Sequence, residues 1–464
     1  MQQREGGTRR RLAGRGSGTS AIVAAVLVSV ILGTAQADAA GYVPGPTPII
    51  GRRGPTPVTG SVTFFGRGFG HGVGMSQYGA RGRADAGQTM ATILAHYYKG
   101  TTIGDLSPTV PPTIPLIRVL VLDKFPATAA VPLTIHGRSA NWTVSGTGKT
   151  FAKDAVLRLI PTVTTVPAGV SVAWRLRIVA PNGDVQYDAA STASFVVGPG
   201  DDATRLRLDS KPSSFDTYRG TLKVIFGSTS AAVTVVNSLP LESYLKGVVP
   251  SEMPATWNPE ALKCQAVVAR GYAARRIKPT VGTFDVKDDT SSQVYLGVEN
   301  EKPATTTAIS ATANKVVKSG TAIADALFHS TGGTATENNE NVFVSATGEI
   351  TNSPVSYLRG SSDRAPNGTP YDSSSPWLHW NTATYTVDQL SAWLASDPQT
   401  SVGTLTAIDL HNRGVSGRLI SVTLIGTGGT KTVSGTVFRT VFNDNRPPAD
   451  PILRSNAFAL TPFP

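Results

Sequence analysis

Cysteine is nearly absent: Cys264 is the sole one in 464 residues, which excludes an intramolecular disulfide framework. Histidine is scarce as well, with six residues scattered along the chain. They offer no cluster at metal-ligand spacing, so neither a metal site nor a metallo-amidase is expected. The glycine-rich run from Gly66 to Thr101 has no lysine or threonine in P-loop register and no acidic residue at Rossmann spacing after it. Phosphate and nucleotide cofactors are therefore set aside, and no cofactor is expected. No block of lysine and arginine with interleaved aromatics offers a nucleic-acid surface, and no internal repeat is evident. Beyond the apolar run Ala21 to Leu32, no second run approaches the roughly 20 residues that a bilayer span needs.

What is present is concentrated in two segments. From Leu239 to Arg275 the chain reads LPLESYLKGVVPSEMPATWNPEALKCQAVVARGYAAR. Leu241, Tyr244, Leu245 and Val248 recur at helical spacing, and the chain is expected to leave this helix near Gly247 and Pro250. A second helix restarts at Asn258, a good N-cap, with Pro259 at the first helical position and Glu260 at the positive helix end. Glu252 is thus expected in a stiff turn between Pro250 and Pro254, where desolvation would hold it protonated as an acid. The second segment, Gly66 to Thr101, packs glycines around His71, Ser76, Gln77 and Tyr78, which lets backbone amides approach a ligand. Its second half reads as one helix, ending at Gly100.

Together these segments resemble the SpoIID/LytB family of peptidoglycan-acting proteins. Leu239 to Ala273 matches the family's elbow almost letter for letter, and GHGVGMSQYGA at Gly70 to Ala80 matches its glycine-rich signature. Weaker marks are Asp289, Gln293, Val294 and Tyr295, then FHSTGG at Phe328 to Gly333, Tyr357, Leu358, Asp363, Trp377 and Trp380, and the strands within Ser416 to Arg439. The resemblance covers roughly residues 61 to 464. It implies a lytic transglycosylase with Glu252 as catalytic acid, cutting peptidoglycan glycan strands. The alternative is a non-catalytic glycan-binding module that modifies a cell-wall amidase, which would then be its partner.

The resemblance departs from the family in two ways. The signature normally follows the catalytic core and here precedes it, so the chain reads as circularly permuted. Residues 61 to 104 are then expected to pack beside the C-terminal strands, with His71 and Gln77 facing Glu252. Some relatives also hold zinc with a cysteine and histidines near FHS, but here Cys264 stands inside a helix, which argues against zinc.

For substrate binding the resemblance singles out His71, Ser76, Gln77, Tyr78, Gln293, His329, Ser330 and Asp363; the two histidines either line the cleft or are structural. Gln265 and Arg270 are expected to support Glu252 from behind. A hydrolase would need a second carboxylate, for which Asp363 ranks first, then Asp289 and Glu242. Trp377 and Trp380 are open between sugar stacking and core.

The expected fold class is α+β, a catalytic α+β domain with an inserted or adjoining, mostly antiparallel β domain. Residues 1–40, with five arginines, an apolar run and AQADAA at Ala35 to Ala40, read as a secretory signal. The expectation is a secreted or wall-associated protein, bound to membrane only through an uncleaved signal. Residues 41–60 read as a Pro/Gly linker, 61–104 as the permuted cleft segment, 105–236 as a β-rich domain and 237–464 as the catalytic core. The net charge of +11 suits a wall rich in carboxylates and phosphates.

Overall fold

The alternation of apolar and polar residues from Ile117 onward has the period of half-buried strands, and strands are what form. The computed structural model describes residues 54–106, 116–198 and 205–463; the expected signal at 1–40 lies outside them. Leu116–Pro126 and Ala232–Pro240 pair antiparallel at the middle of a five-stranded sheet, flanked by Thr221–Ile225 and Phe195–Val197 on one side and the parallel Val286–Lys287 on the other. A six-stranded sheet is built around the long hairpin of Val156–Val166 and Gly169–Val179.

Eight helices occur among the described residues: α1 (Gln77–Asp85), α2 (Met90–Tyr97), α3 (Leu241–Glu252), α4 (Pro259–Ala274), α5 (Pro303–Ala311), α6 (Asn339–Val342), α7 (Val387–Leu394) and α8 (Gly435–Asn445). With the mostly antiparallel sheets they make an α+β protein. None is long and apolar enough to cross a membrane.

Three apolar cores hold these elements. The first fills the space between the two large sheets and takes Tyr244, Leu245 and Val248 from α3 and Ala266, Ala269 and Ala273 from α4. The second joins Ile93, Leu94 and Tyr97 of α2 to Leu262, Cys264 and Val267 on another side of α4. Helix α4 is therefore wedged between two cores, and its small residues are what allow neighbours to close in on both sides. Cys264 is a fully buried free thiol and packs as a small hydrophobe. The third core places Val58, Val62 and Phe64 among Leu390, Phe438, Phe442 and Phe458.

The third core corrects the reading of residues 41–60 as linker throughout. Thr56–Pro57 is an edge strand on Leu405–Asp409, Val58 donates its amide to Thr406 O, and Val58 is buried. Proline is tolerated there because an edge strand leaves one side of its backbone unpaired. Ser61–Val62 then pairs with Tyr385–Thr386, and Phe65–Arg67 lies between His379–Asn381 and Phe458–Ala459. The boundaries at 104/105 and 236/237 fall inside the strands Thr102–Asp105 and Ala232–Pro240. The β-rich stretch also shares its core with the elbow helices, so the two are not separate packing units. The helix expected after the signature is two helices: Gly87, with φ of +84°, turns the chain, and Thr89 caps α2.

Candidate active site

Glu252 is the last residue of α3 rather than part of a turn. Pro250 lies inside the helix and cannot donate to the preceding turn, yet the helix persists for two more residues. Met253, extended at φ −132°, closes it by donating its amide N–H to Val249 O. The segment after it is tied down at both ends of the α1 to α2 connection. Asn258 caps α4 through Glu260 N and donates Nδ2 to Ala84 O, while Glu260 accepts from Met90 N at 2.6 Å. The elbow and the glycine-rich segment are thereby joined as one unit.

The Glu252 side chain is 6% exposed. Gln77 Nε2 donates to its carboxylate Oε2 at 3.3 Å and to its main-chain oxygen at 3.2 Å. The same amide lies 3.4 Å from Gln265 Oε1, and the Val294 backbone amide also donates to the carboxylate. Burial pushes the Glu252 carboxyl up to about 7; the bonds from Gln77 and Val294 oppose that shift without cancelling it. The C-terminal end of α3 disfavours negative charge there as well. Among the described residues no cation forms an ion pair with Glu252.

Around this centre stand Gln265, fully buried, and Gln293, which accepts from the Tyr244 hydroxyl at 3.3 Å. The Nε2 atoms of both have no partner among the described residues. Tyr78 is half-buried, and its ring meets the edge of Trp257 with centroids 4.8 Å apart. The Arg81 guanidinium lies 5.1 Å from the Trp257 ring centroid. Sequence reasoning missed Trp257, although it stands five residues after Glu252 within the elbow motif.

Several expected site residues are committed elsewhere. Ser76 is fully buried and caps α1, accepting from Gly79 N at 3.1 Å and from Gly332 N at 3.0 Å. Its hydroxyl therefore braces the loop. Ser330 accepts from Tyr78 N with its main-chain oxygen, and its hydroxyl lies 3.3 Å from Thr331 Oγ1. Arg270 does not support Glu252: its fully buried guanidinium pairs with Glu242 at 2.7 and 2.8 Å and reaches Lys315 O. The residue that backs the Gln77 and Glu252 pair is Gln265.

His71 does not contact Glu252. It accepts from Val73 N at 3.0 Å, and its ring lies 5.5 Å from His329 and 5.9 Å from Phe343. Burial, aided by Arg418 and Arg439, pushes it down to about 3, so it stays neutral. His329 is fully buried, sits 3.2 Å from Val73 O and is likewise held well below the usual histidine range by burial.

The three candidates for a second carboxylate are also occupied. Asp363 binds Arg83 Nε at 2.9 Å and the Tyr97 hydroxyl at 2.8 Å, and burial pushes its carboxyl up to about 6 against the pull of Arg83. Gly79 makes room for it, since a Cβ there would lie 2.0 Å from Asp363 Oδ2. Glu242 is paired with Arg270, and Asp289 binds the amide and hydroxyl of Ser291. Trp380 packs over Gly66 and donates to Gly68 O, while Trp377 lies beneath the Arg454 guanidinium.

The fold and site thus define an α+β protein with one buried, uncompensated glutamate at a helix end. Residues 229–318 match the family model described as SpoIID: Stage II sporulation protein. Over these residues the chain carries a SpoIID domain, and its similarity is to the SpoIID/LytB family. It is 33% identical over 221 residues to an uncharacterized protein of Brachyspira hyodysenteriae, covering 45% of this chain and 55% of that protein. It is 30% identical over 236 residues to the amidase enhancer of Bacillus subtilis, covering 48% and 29%. With the stage II sporulation protein D of Bacillus subtilis it shares 29% identity over 276 residues, covering 54% and 68%. The chain spans about half the length of the first of these relatives and under a third of the second.

Proposed function

We propose that this chain is a peptidoglycan lytic transglycosylase acting outside the cell membrane, with Glu252 as its single acid and base. The observation that carries the reading is the Glu252 carboxyl itself, buried, free of cations and pushed up to about 7. A group near that value can both give and take a proton at neutral pH. Protonated Glu252 delivers its proton to the glycosidic oxygen as the C1–O bond of N-acetylmuramic acid breaks. The C6 hydroxyl of the same sugar then attacks C1, and its proton passes to the Glu252 carboxylate. The products are a 1,6-anhydro end and a free hydroxyl end, with the enzyme returned to its starting state. No water is consumed, so the base that a hydrolase needs on the opposite sugar face has no role. The engagement of Asp363, Glu242 and Asp289 with other partners supports this economy. Gln265 and Gln293, buried behind Glu252 with unpartnered amide nitrogens, surround it with neutral donors rather than cations.

Mass analysis of glycan digested by the purified protein tests the reading. Anhydro ends are expected, and Glu252→Gln should lower cleavage by at least about 10² to 10⁴ while leaving the fold intact. Reducing ends would mean hydrolysis. A Glu252→Gln protein that retains a tenth of the wild-type rate would favour the second reading, a glycan-binding modifier of a wall amidase. The relative named amidase enhancer favours that alternative.

A further inference from the structure

A cavity of about 550 Å³, which Glu252 does not line, lies between the start of the glycine-rich segment, the Val342 to Ala346 stretch and α8. Its apolar wall includes Phe69, Val342, Phe343, Val437, Ile452 and Leu453. Two arginines also line it, Arg439 and Arg454. The Arg454 guanidinium carbon lies over Trp377, 3.4 Å from the ring centroid, and 5.6 Å from that of Phe69. Stacking of this kind covers the guanidinium face and leaves its N–H edge as the available surface. Arg439 Nη1 reaches the Arg454 main-chain oxygen at 3.4 Å, and Gly70 N donates to that same oxygen at 3.1 Å, so the two arginines and the loop are held together.

Neither arginine forms an ion pair among the described residues. The wall's acidic residue, Asp444, is exposed and forms no ion pair with either arginine, His71 is neutral, and Asn443 is engaged with Leu453. Burial holds both arginines below their usual range, Arg454 at about 10 with Arg446 contributing. Two partly desolvated cations without a paired anion are costly unless a ligand brings one.

We propose that this cavity binds the free carboxylate of a short peptide with small aliphatic side chains. The arginines grip the carboxylate by charge-assisted bonds, and the apolar wall takes the methyl-sized side chains. Assigning the peptide to the wall's stem peptides rests on the function proposed above; the carboxylate site itself does not. His71 lines the cavity and Gln77, six residues on, touches Glu252. At no more than about 3.5 Å per residue, the two lie within about 20 Å.

Calorimetric titration of the full-length protein with acetyl-D-Ala-D-Ala, its C-terminal amide and acetyl-L-Ala-L-Ala tests the proposal. The acid should bind at least about tenfold more tightly than the amide. Arg454→Gln should lose that preference, and Thr440→Trp, a change at an exposed position on the cavity rim, should block binding without removing an arginine. Glu252→Gln should bind the peptide as wild type does, which separates this site from the cleavage reading. Preference for the D peptide assigns the site to wall peptides, and equal binding of the L peptide supports the carboxylate site with peptide ends in general as its source. Equal affinity for acid and amide, no binding of the acid at millimolar concentration, or wild-type binding by Thr440→Trp would overturn the proposal.

Discussion

Helix α1 carries a buried carboxylic acid on each of two opposite sides, and they behave differently. Gln77 and Gly79 are two residues apart, hence about 200° around the helix. On the Gln77 side lies Glu252, held by neutral amides alone. On the Gly79 side lies Asp363, locked to Arg83 and Tyr97. Burial raises both carboxyls, to about 7 and about 6. The comparison teaches that depth does not mark a functional acid. A paired acid is held in place by its cation and hydroxyl partners, whereas an acid met only by amides has no ion pair to break when it exchanges a proton.

The largest expected effect tests the structural side. Arg83→Met removes the cation but keeps the side-chain bulk, leaving Asp363 buried with the Tyr97 hydroxyl. Loss of one member of a buried pair should cost about 3 kcal/mol at pH 8 in urea unfolding. The loss should shrink at pH 5, where Asp363 takes up a proton. A cost under about 1 kcal/mol at pH 8 would mean that the pair does not anchor α1.

Glu252 should show the opposite sign. Its folded-state value of about 7 lies above the ordinary 4.5, so the folded protein binds the proton more tightly than the unfolded chain. Stability conferred by the neutral form is present below about 4.5 and is lost as pH rises through about 7. Glu252→Gln has no proton to lose. It should match wild type near pH 4 and exceed it by about 3 kcal/mol at pH 8. Parallel stability curves across that range would contradict a desolvated Glu252.

A smaller effect isolates Gln77. Its bond favours the charged carboxylate, so Gln77→Leu should raise the Glu252 value further. The alkaline limb of the cleavage profile should then move up by no more than about one pH unit, the worth of one hydrogen bond. An unmoved limb would show that Gln77 acts on substrate rather than on Glu252.

Much of the scaffold was legible in the chain. Asn258 and Pro259 start α4 where capping rules place it, and the alternating runs become strands, because these preferences act over a few residues. The limits of local reading appear at Pro250. It suggested a helix end, but the packing of Leu245, Val248 and Val249 carries the helix on to Glu252. Thr56 and Pro57 likewise read as linker, and only the edge of the Leu405–Asp409 strand makes them structure.

The sequence by itself determined the α+β class, the elbow that presents Glu252 and the two segments that make the family recognisable. Only the tertiary structure decided which polar residues serve Glu252 and which serve the fold. It turned Ser76 into a helix cap, gave Arg270 to Glu242 and Asp363 to Arg83, and set His71 and His329 against each other. The reason is that a carboxyl's charge state depends on burial and on the few groups within hydrogen-bond reach. For Glu252 one such group is Gln77, brought from 175 positions away, a contact that the family resemblance led us to expect but that no local pattern carries.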